Sequence, residues 1–236
     1  MAQQVERKEG RQAIVERIES EKRYHEEHYS RVADPLGVNF DLATASQRRP
    51  QNLTWAYYDT ILARCGGDVR GKRILEMGCG VGLVSLNLLK QGSHIDAFDV
   101  SETAIDICHQ RAAKYGLNGG RFFVASCEDV ELSENGYDAV VGEGILHHAD
   151  IPTTIANIRR WLKPSGFGVF MEWKRYALVD TLRSLPPFQR WFPPGGVQGY
   201  ATEYERKLTG KDFDVIRDTF PNTRLAFQAV RCLLTA

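Results

Sequence analysis

Net charge is the first thing this 236-residue chain lacks: 30 Lys and Arg balance 30 Asp and Glu, and no long basic run upsets the balance. Without a positive field, nothing in the composition gathers nucleic acid or an anionic membrane, so a small, weakly charged partner is expected. A cysteine framework is missing as well. The five cysteines (Cys65, Cys79, Cys108, Cys127 and Cys232) are odd in number, scattered and never spaced C-x-x-C. That argues against a disulfide scaffold or a zinc cluster and for reduced, mostly buried thiols. The opening stretch from Met1 to Arg31 is densely charged with no signal-like apolar centre, and no apolar run is long enough to cross a bilayer. These absences predict a cytoplasmic protein, and no motif specifies an oligomer.

What is present is alternation of strand and helix. Short apolar runs over residues 73–78, 94–99, 121–126, 137–142 and 167–173 read as strands, and periodic stretches over 81–91, 101–116 and 152–163 read as helices. Such an order implies an α/β fold, a doubly wound and mainly parallel sheet with helices on both faces. The length suits one such domain. Residues 11–29 carry Ile14, Ile18, His25 and Tyr29 near one face and read as a surface helix, and residues 52–65 as a second helix stopped by Gly66-Gly67. Residues 1–50 are therefore expected to form an N-terminal helical extension and residues 51–236 the main domain. Prolines at 186, 187, 193 and 194 interrupt the tail, making the segment over about 176–208 a stiff insertion suited to covering a substrate. A helix from Asp212 and a strand over 224–230 follow, and the few residues after Val230 leave room only for a short, rearranged or absent last strand.

The chemistry concentrates in Glu76-Met77-Gly78-Cys79-Gly80-Val81-Gly82, between the apolar strand ending Ile74-Leu75 and an apolar helix. Glycines at a strand-to-helix turn let a ligand lie on backbone, because no Cβ intervenes and helix-start N–H groups attract negative charge. Glu76 narrows the ligand. A carboxylate just before the first glycine repels a pyrophosphate and welcomes an ammonium group, and G-x-G-x-G differs from the G-x-G-x-x-G of dinucleotide binders. Asp99 ends the next strand, about twenty residues on, where an acid accepts hydrogen bonds from ribose hydroxyls. A nucleoside joined to an amino acid meets all three requirements.

These two segments, together with Tyr137 to His148 and the turn Trp161-Leu162-Lys163-Pro164-Ser165-Gly166-Phe167-Gly168, resemble the class I S-adenosylmethionine-dependent methyltransferases. The likeness is greatest to the small-molecule branch that includes quinone-biosynthesis methyltransferases, and it covers about residues 55–175. It implies a Rossmann-like fold with an N-terminal helical lid, S-adenosyl-L-methionine as cofactor and a small organic methyl acceptor with an oxygen or nitrogen nucleophile. Glu76, Gly78, Cys79, Gly80, Asp99, Val100, Ser126, Cys127, Glu128 and Glu143 are the cofactor-binding residues it implies. Ser126 stands where family members commonly carry Asp, and Cys127 where they carry Ala, so the backbone N–H of Cys127 rather than a side chain would read the adenine edge.

Glu143, His147 and His148 follow the fourth strand at the binding edge of the sheet and are the catalytic candidates. The same histidines read equally as backbone hydrogen-bonding residues. No metal role follows from them, because adjacent histidines at a helix start point in different directions. Glu172, Trp173 and Lys174 are expected near the acceptor, and Tyr24, His25, His28 and Tyr29 in the lid. Phe188, Trp191, Phe192, Tyr200 and Tyr204 read as an apolar wall or a satellite core. Two other classes stay open at this point: a non-catalytic protein that binds S-adenosylmethionine, and a nicotinamide-dependent oxidoreductase.

Overall fold

The computed structural model describes residues 2–31, 42, 54–173, 208–228 and 231–235. Alternation of apolar side chains builds its sheet. From Arg73–Met77 (β1), Ile74 joins one core with Ala139, Val141, Val169 and Met171, while Leu75 and Met77 join the other with Val140 and Phe170. A strand buried on both faces needs helices on both faces. Five strands pair in parallel: β1, His94–Asp99 (β2), Gly120–Val124 (β3), Tyr137–Glu143 (β4) and Leu162–Trp173 (β5).

Helices Thr54–Arg64 (α2), Leu83–Lys90 (α3) and Glu102–Lys114 (α4) pack on the first face through Tyr57, Ile61, Leu86, Ile105 and Cys108. Ile151–Trp161 (α5) and Gly210–Thr219 (α6) cover the second through Ile155, Ile158, Trp161, Phe213 and Ile216. This is the doubly wound α/β fold expected. With Arg224–Gln228 as β6 and Arg231–Thr235 as β7, the strand order is β3-β2-β1-β4-β5-β7-β6, so the chain leaves β1 toward β2 and later returns to its other side with β4. A crevice opens at that reversal, outside the carboxyl ends of β1 and β4.

Several boundaries differ from the sequence reading. β3 stops at Val124 because Ala125 already donates its N–H to the Asp99 carbonyl (3.0 Å) and Ser126 opens a turn closed by the Asp129 N–H (3.1 Å). β5 starts early: Leu162 pairs with Tyr137, and the turn through Pro164 is carried as an irregularity before Phe167 pairs with Ala139. The last strand is present and short, Arg231–Thr235 (β7), lying antiparallel between β5 and Arg224–Gln228 (β6). The N-terminal helix runs over Ala2–Ser30 (α1) and packs on α4. Most of the insertion expected over about 176–208, with the aromatics from Phe188 to Tyr204, lies outside the described residues.

A polar knot closes the far end of the sheet. Asp96 of β2 accepts from the hydroxyl of fully buried Tyr137 (2.6 Å) and from Arg73 and Arg121 (3.0 Å each). Burial works to raise its carboxyl, yet the donors Tyr137, Arg121 and Arg73 hold it below the usual range. Tyr137→Phe should cost about 1.5–3 kcal/mol at neutral pH, the usual loss for a hydrogen bond to a charged group. A lowered folded value stabilises above the ordinary carboxylate range and loses that contribution as pH falls through it. The difference in urea midpoint between the two proteins should therefore shrink below about pH 4.

Candidate cofactor and acceptor site

The glycine turn is shaped by contacts that side chains would block. Gly78 and Gly80 hold φ of 61° and 49°, the left-handed region that glycine enters without strain. A Cβ on Gly78 would lie 2.7 Å from Ile145 Cδ1, and one on Gly80 2.7 Å from the Tyr29 hydroxyl. The turn is tied to β2 twice: Cys79 N–H donates to the Phe98 carbonyl (3.0 Å), and Gly80 N–H to Asp99 Oδ2 (2.9 Å). Asp99 Oδ1 accepts from Ser101 N–H (3.0 Å), and Ser101 caps α4 by accepting from Ala104 N–H (3.1 Å). Asp99 is thus held in place with spare lone pairs, since each carboxylate oxygen accepts more than one bond. Burial raises its carboxyl above the usual range, against the Ser101 donor that favours the ionised form.

Acidic groups crowd beneath the turn. Glu76 is buried, its carboxyl accepting from the Ser85 hydroxyl. Burial is the main cause that pushes it up to about 8; the Ser85 bond opposes this, and the charges of Glu143 and Asp99 add to it. Glu143 accepts from the Thr54 hydroxyl (3.0 Å), which brings the start of α2 to the site. Near neutral pH the fold therefore keeps Glu76 protonated, and a positive ligand group placed there would draw the proton off.

Helix α1 closes over this edge. Arg17 donates to Glu128 (2.7 Å) and to the His148 carbonyl. At its other end Glu26 accepts from the first N–H groups of α4, including Thr103 (3.2 Å), where a carboxylate is favoured by the helix dipole, and Lys22 pairs with Glu102 (2.6 Å). Between these anchors lies a cavity of about 110 Å³ that opens to solvent at its mouth. Ile18, Glu21, His25 and Tyr29 line it from α1, and Gly78, Asp99, Val100, Ser126, Cys127, Glu128, Glu143 and His148 from the sheet edge.

The structure thus brings together most of the residues expected from the sequence but not all. Glu76, Cys79 and Gly80 stand behind the cavity wall, because Tyr29 of α1 lies over the glycine turn. His147 also stands outside. Its Nδ1 meets Glu172 Oε2 (2.8 Å), and Glu172 Oε1 accepts from the N–H groups of Ile145 (3.0 Å) and Leu146 (2.7 Å). Glu172 and His147 are both buried, so this pair braces the turn after β4, and of the two histidines only His148 faces the cavity. Glu128 is engaged by Arg17 and by Asp150 N–H (2.8 Å), making it a lid anchor. Ser126 is tied to Asp129. Arg17, Glu21, Glu26 and Thr54 were missed by the sequence reading, since charged positions on a sparse stripe look like a solvated helix face. Only the four-residue spacing of Glu21 and His25 hinted at a shared face.

A glycine cradle and a ribose-side acid at the switch point of a parallel sheet define an α/β enzyme that binds a nucleoside cofactor. Residues 74–166 match the family described as "Methyltransferase domain". A ubiquinone biosynthesis O-methyltransferase of Alkalilimnicola ehrlichii is 27% identical over 215 residues, covering 81% of this chain and 87% of that protein. A sterol 24-C-methyltransferase of Gibberella zeae is 31% identical over 158 residues, covering 65% of this chain but 38% of that protein. Among solved structures, the magnesium protoporphyrin IX methyltransferase of Synechocystis with bound S-adenosylhomocysteine superposes with a TM-score of 0.61 at 17% identity, covering 91% of this chain and 95% of that one. Residues 74–166 of this chain form a methyltransferase domain, which agrees with the resemblance read from the sequence and with the S-adenosyl-L-methionine it implies as cofactor. The nicotinamide alternative gives way, as Glu76 and the glycine spacing argued.

Glu76 supplies a direct test of the acidic cluster. A carboxyl whose folded value is raised binds more protons folded than unfolded, so it lowers stability as pH rises from the ordinary carboxylate range to about 8. Glu76→Gln keeps the shape and removes that penalty. The variant without cofactor should gain roughly 2–3 kcal/mol at pH 7, read as a higher urea midpoint, while its affinity for S-adenosylmethionine falls at least about tenfold.

Proposed function

We propose that this enzyme transfers the methyl group to an oxygen or nitrogen nucleophile of a small organic molecule, with oxygen the favoured atom. The observation that carries this reading is that one cavity reaches from Asp99 and Gly78 to His148 and the inner face of α1. A nucleoside at one end and an acceptor at the other would then meet without a separate channel. The relative aligned over 87% of its length is named for O-methylation in ubiquinone biosynthesis, which supports oxygen.

In this reading residues 1–50 form the lid, residues 51–236 the catalytic unit, and the segment over 176–208 completes the acceptor side. Balanced charge favours a cytoplasmic setting and an acceptor other than nucleic acid. Among the described residues no helix is long and apolar enough to cross a membrane.

Asp99 would hold the ribose, the backbone around Gly78 and Gly80 the amino-acid part, and Glu76 with Glu143 would balance its positive charge. Val100, Ser126, Cys127 and Glu128 would border the adenine. Bound there, S-adenosylmethionine supplies a methyl group on a positively charged sulfur that leaves as a neutral thioether. The protein's part is to align the nucleophile and keep out competing water, and α1 does the latter through Tyr29 and the Arg17–Glu128 pair. His148, on the cavity wall, is the side chain placed to take the nucleophile's proton, and His147 is a positioning residue held by Glu172.

Calorimetry decides the cofactor assignment. S-adenosylmethionine and S-adenosylhomocysteine should bind at micromolar concentration and NAD should not, and Asp99→Ala should weaken both by at least about tenfold. Unchanged affinity would remove Asp99 from the site. Because the bound ammonium draws the proton from Glu76, the complex holds fewer protons than the free enzyme. Affinity should therefore rise with pH up to about 8, and the binding heat should change between buffers of different ionisation enthalpy. A heat independent of buffer would place the ammonium elsewhere.

A further inference from the structure

On the cavity wall three side chains converge that the methyl-transfer reading leaves only partly used. Glu21 and His25 lie four residues apart on one face of α1, and His148 comes from the turn after β4. Glu21 Oε2 stands 3.6 Å from His25 Nε2 and 3.0 Å from His148 Nδ1, and one ligating atom from each residue lies within 4.8 Å of the others. All three line the cavity. Their side chains are shielded, with 5%, 23% and 13% of their surface exposed for Glu21, His25 and His148.

We propose that Glu21, His25 and His148 bind a divalent transition-metal ion, of the zinc or ferrous type, that holds the acceptor oxygen. Two imidazoles and a carboxylate are borderline donors that suit such ions, and three ligands of this kind leave a position open. Ligands about 2.0–2.2 Å from one ion stand roughly 3–3.7 Å from each other, and two of the three separations already fall there. The third lies within 4.8 Å.

The alternative is a plain ion pair, and two observations count against it. His148 Nδ1 is buried and makes no aligned hydrogen bond even though Glu21 Oε2 is 3.0 Å away, so the pair is close without being a well-formed hydrogen bond. The rings are also clamped. His25 meets His148 edge-on (5.6 Å between centroids) and stacks on Tyr29 (5.9 Å), which fixes the direction of each nitrogen. Charge agrees: Asp99, Glu128 and Glu143 border the same cavity, and the neighbouring cation, Arg17, is committed to Glu128. With one ligand on the body and two on the lid, the ion would also fasten α1 shut. Its open position would face the cavity, where the ion, in place of His148 as base, would lower the pKa of an acceptor hydroxyl so that its proton passes to solvent, and would hold the resulting oxyanion.

The acceptor-side role rests on the proposed function, whereas metal binding itself can be read alone. Purified full-length protein is stripped with chelator and titrated with Co²⁺, read by its visible bands, and with Zn²⁺ by equilibrium dialysis. One ion per chain is expected. His148→Ala and Glu21→Gln should each weaken binding by more than about a hundredfold, beyond the loss seen when only a supporting residue is removed. His109→Ala, on exposed α4 surface, should bind as the parent does. S-adenosylhomocysteine affinity, measured on the same samples, reports folding and the cofactor site. Failure to retain an ion with that affinity intact, or binding that survives the double variant Glu21→Gln/His148→Ala, would sink the metal site and leave the methyltransferase reading untouched.

Discussion

Carboxyl groups gathered at one edge of a parallel sheet set the terms for everything above them. Glu76, Asp99 and Glu143 come from the carboxyl ends of three neighbouring strands, and the charges of Glu143 and Asp99 add to burial in raising the proton affinity of Glu76. Burying acids in that density is unfavourable unless a positive group joins them. A cationic ligand would answer that need, so the cost of gathering the acids and the edge's preference for positive charge have one physical origin. The glycines beside the acids make room for such a ligand.

Helix α1 turns this edge into a site. Alone it would be a poor helix for burial, since its apolar stripe is thin; it docks through charge, by Arg17 on Glu128 at one end and Glu26 and Lys22 on the start of α4 at the other. Buried and half-buried ionic contacts of this kind hold a position more than they add stability. Tyr29 lies over Gly80 in this arrangement, and Glu21 and His25 are delivered to His148.

Much of the core was legible from the chain because periodicity and turn chemistry are local. Apolar runs over 73–78 and 137–142 read as strands and are strands, and the glycine turn and Asp99 stood out by their spacing. The two histidines were harder. Their adjacency gave no hint that Glu172, a strand away, would take His147 out of the cavity and leave His148 facing it. Glu128 read as an adenine contact, and nothing near it in sequence announced its pairing with Arg17 of α1. Each of these differences depends on a partner distant in sequence.

The chain by itself determined the fold class, the cofactor edge and the kind of ligand, because these follow from short-range pattern: period-two strands, glycines that permit positive φ, and acids at strand ends. Tertiary structure alone decided which polar groups face the cavity and which brace it. The reason is that a side chain's role at a site is set by the hydrogen-bond and charge partners that remain after burial. For Glu76, His147, His148 and Glu128 those partners are Ser85, Glu172, Glu21 and Arg17, joined only when the sheet closes and α1 docks.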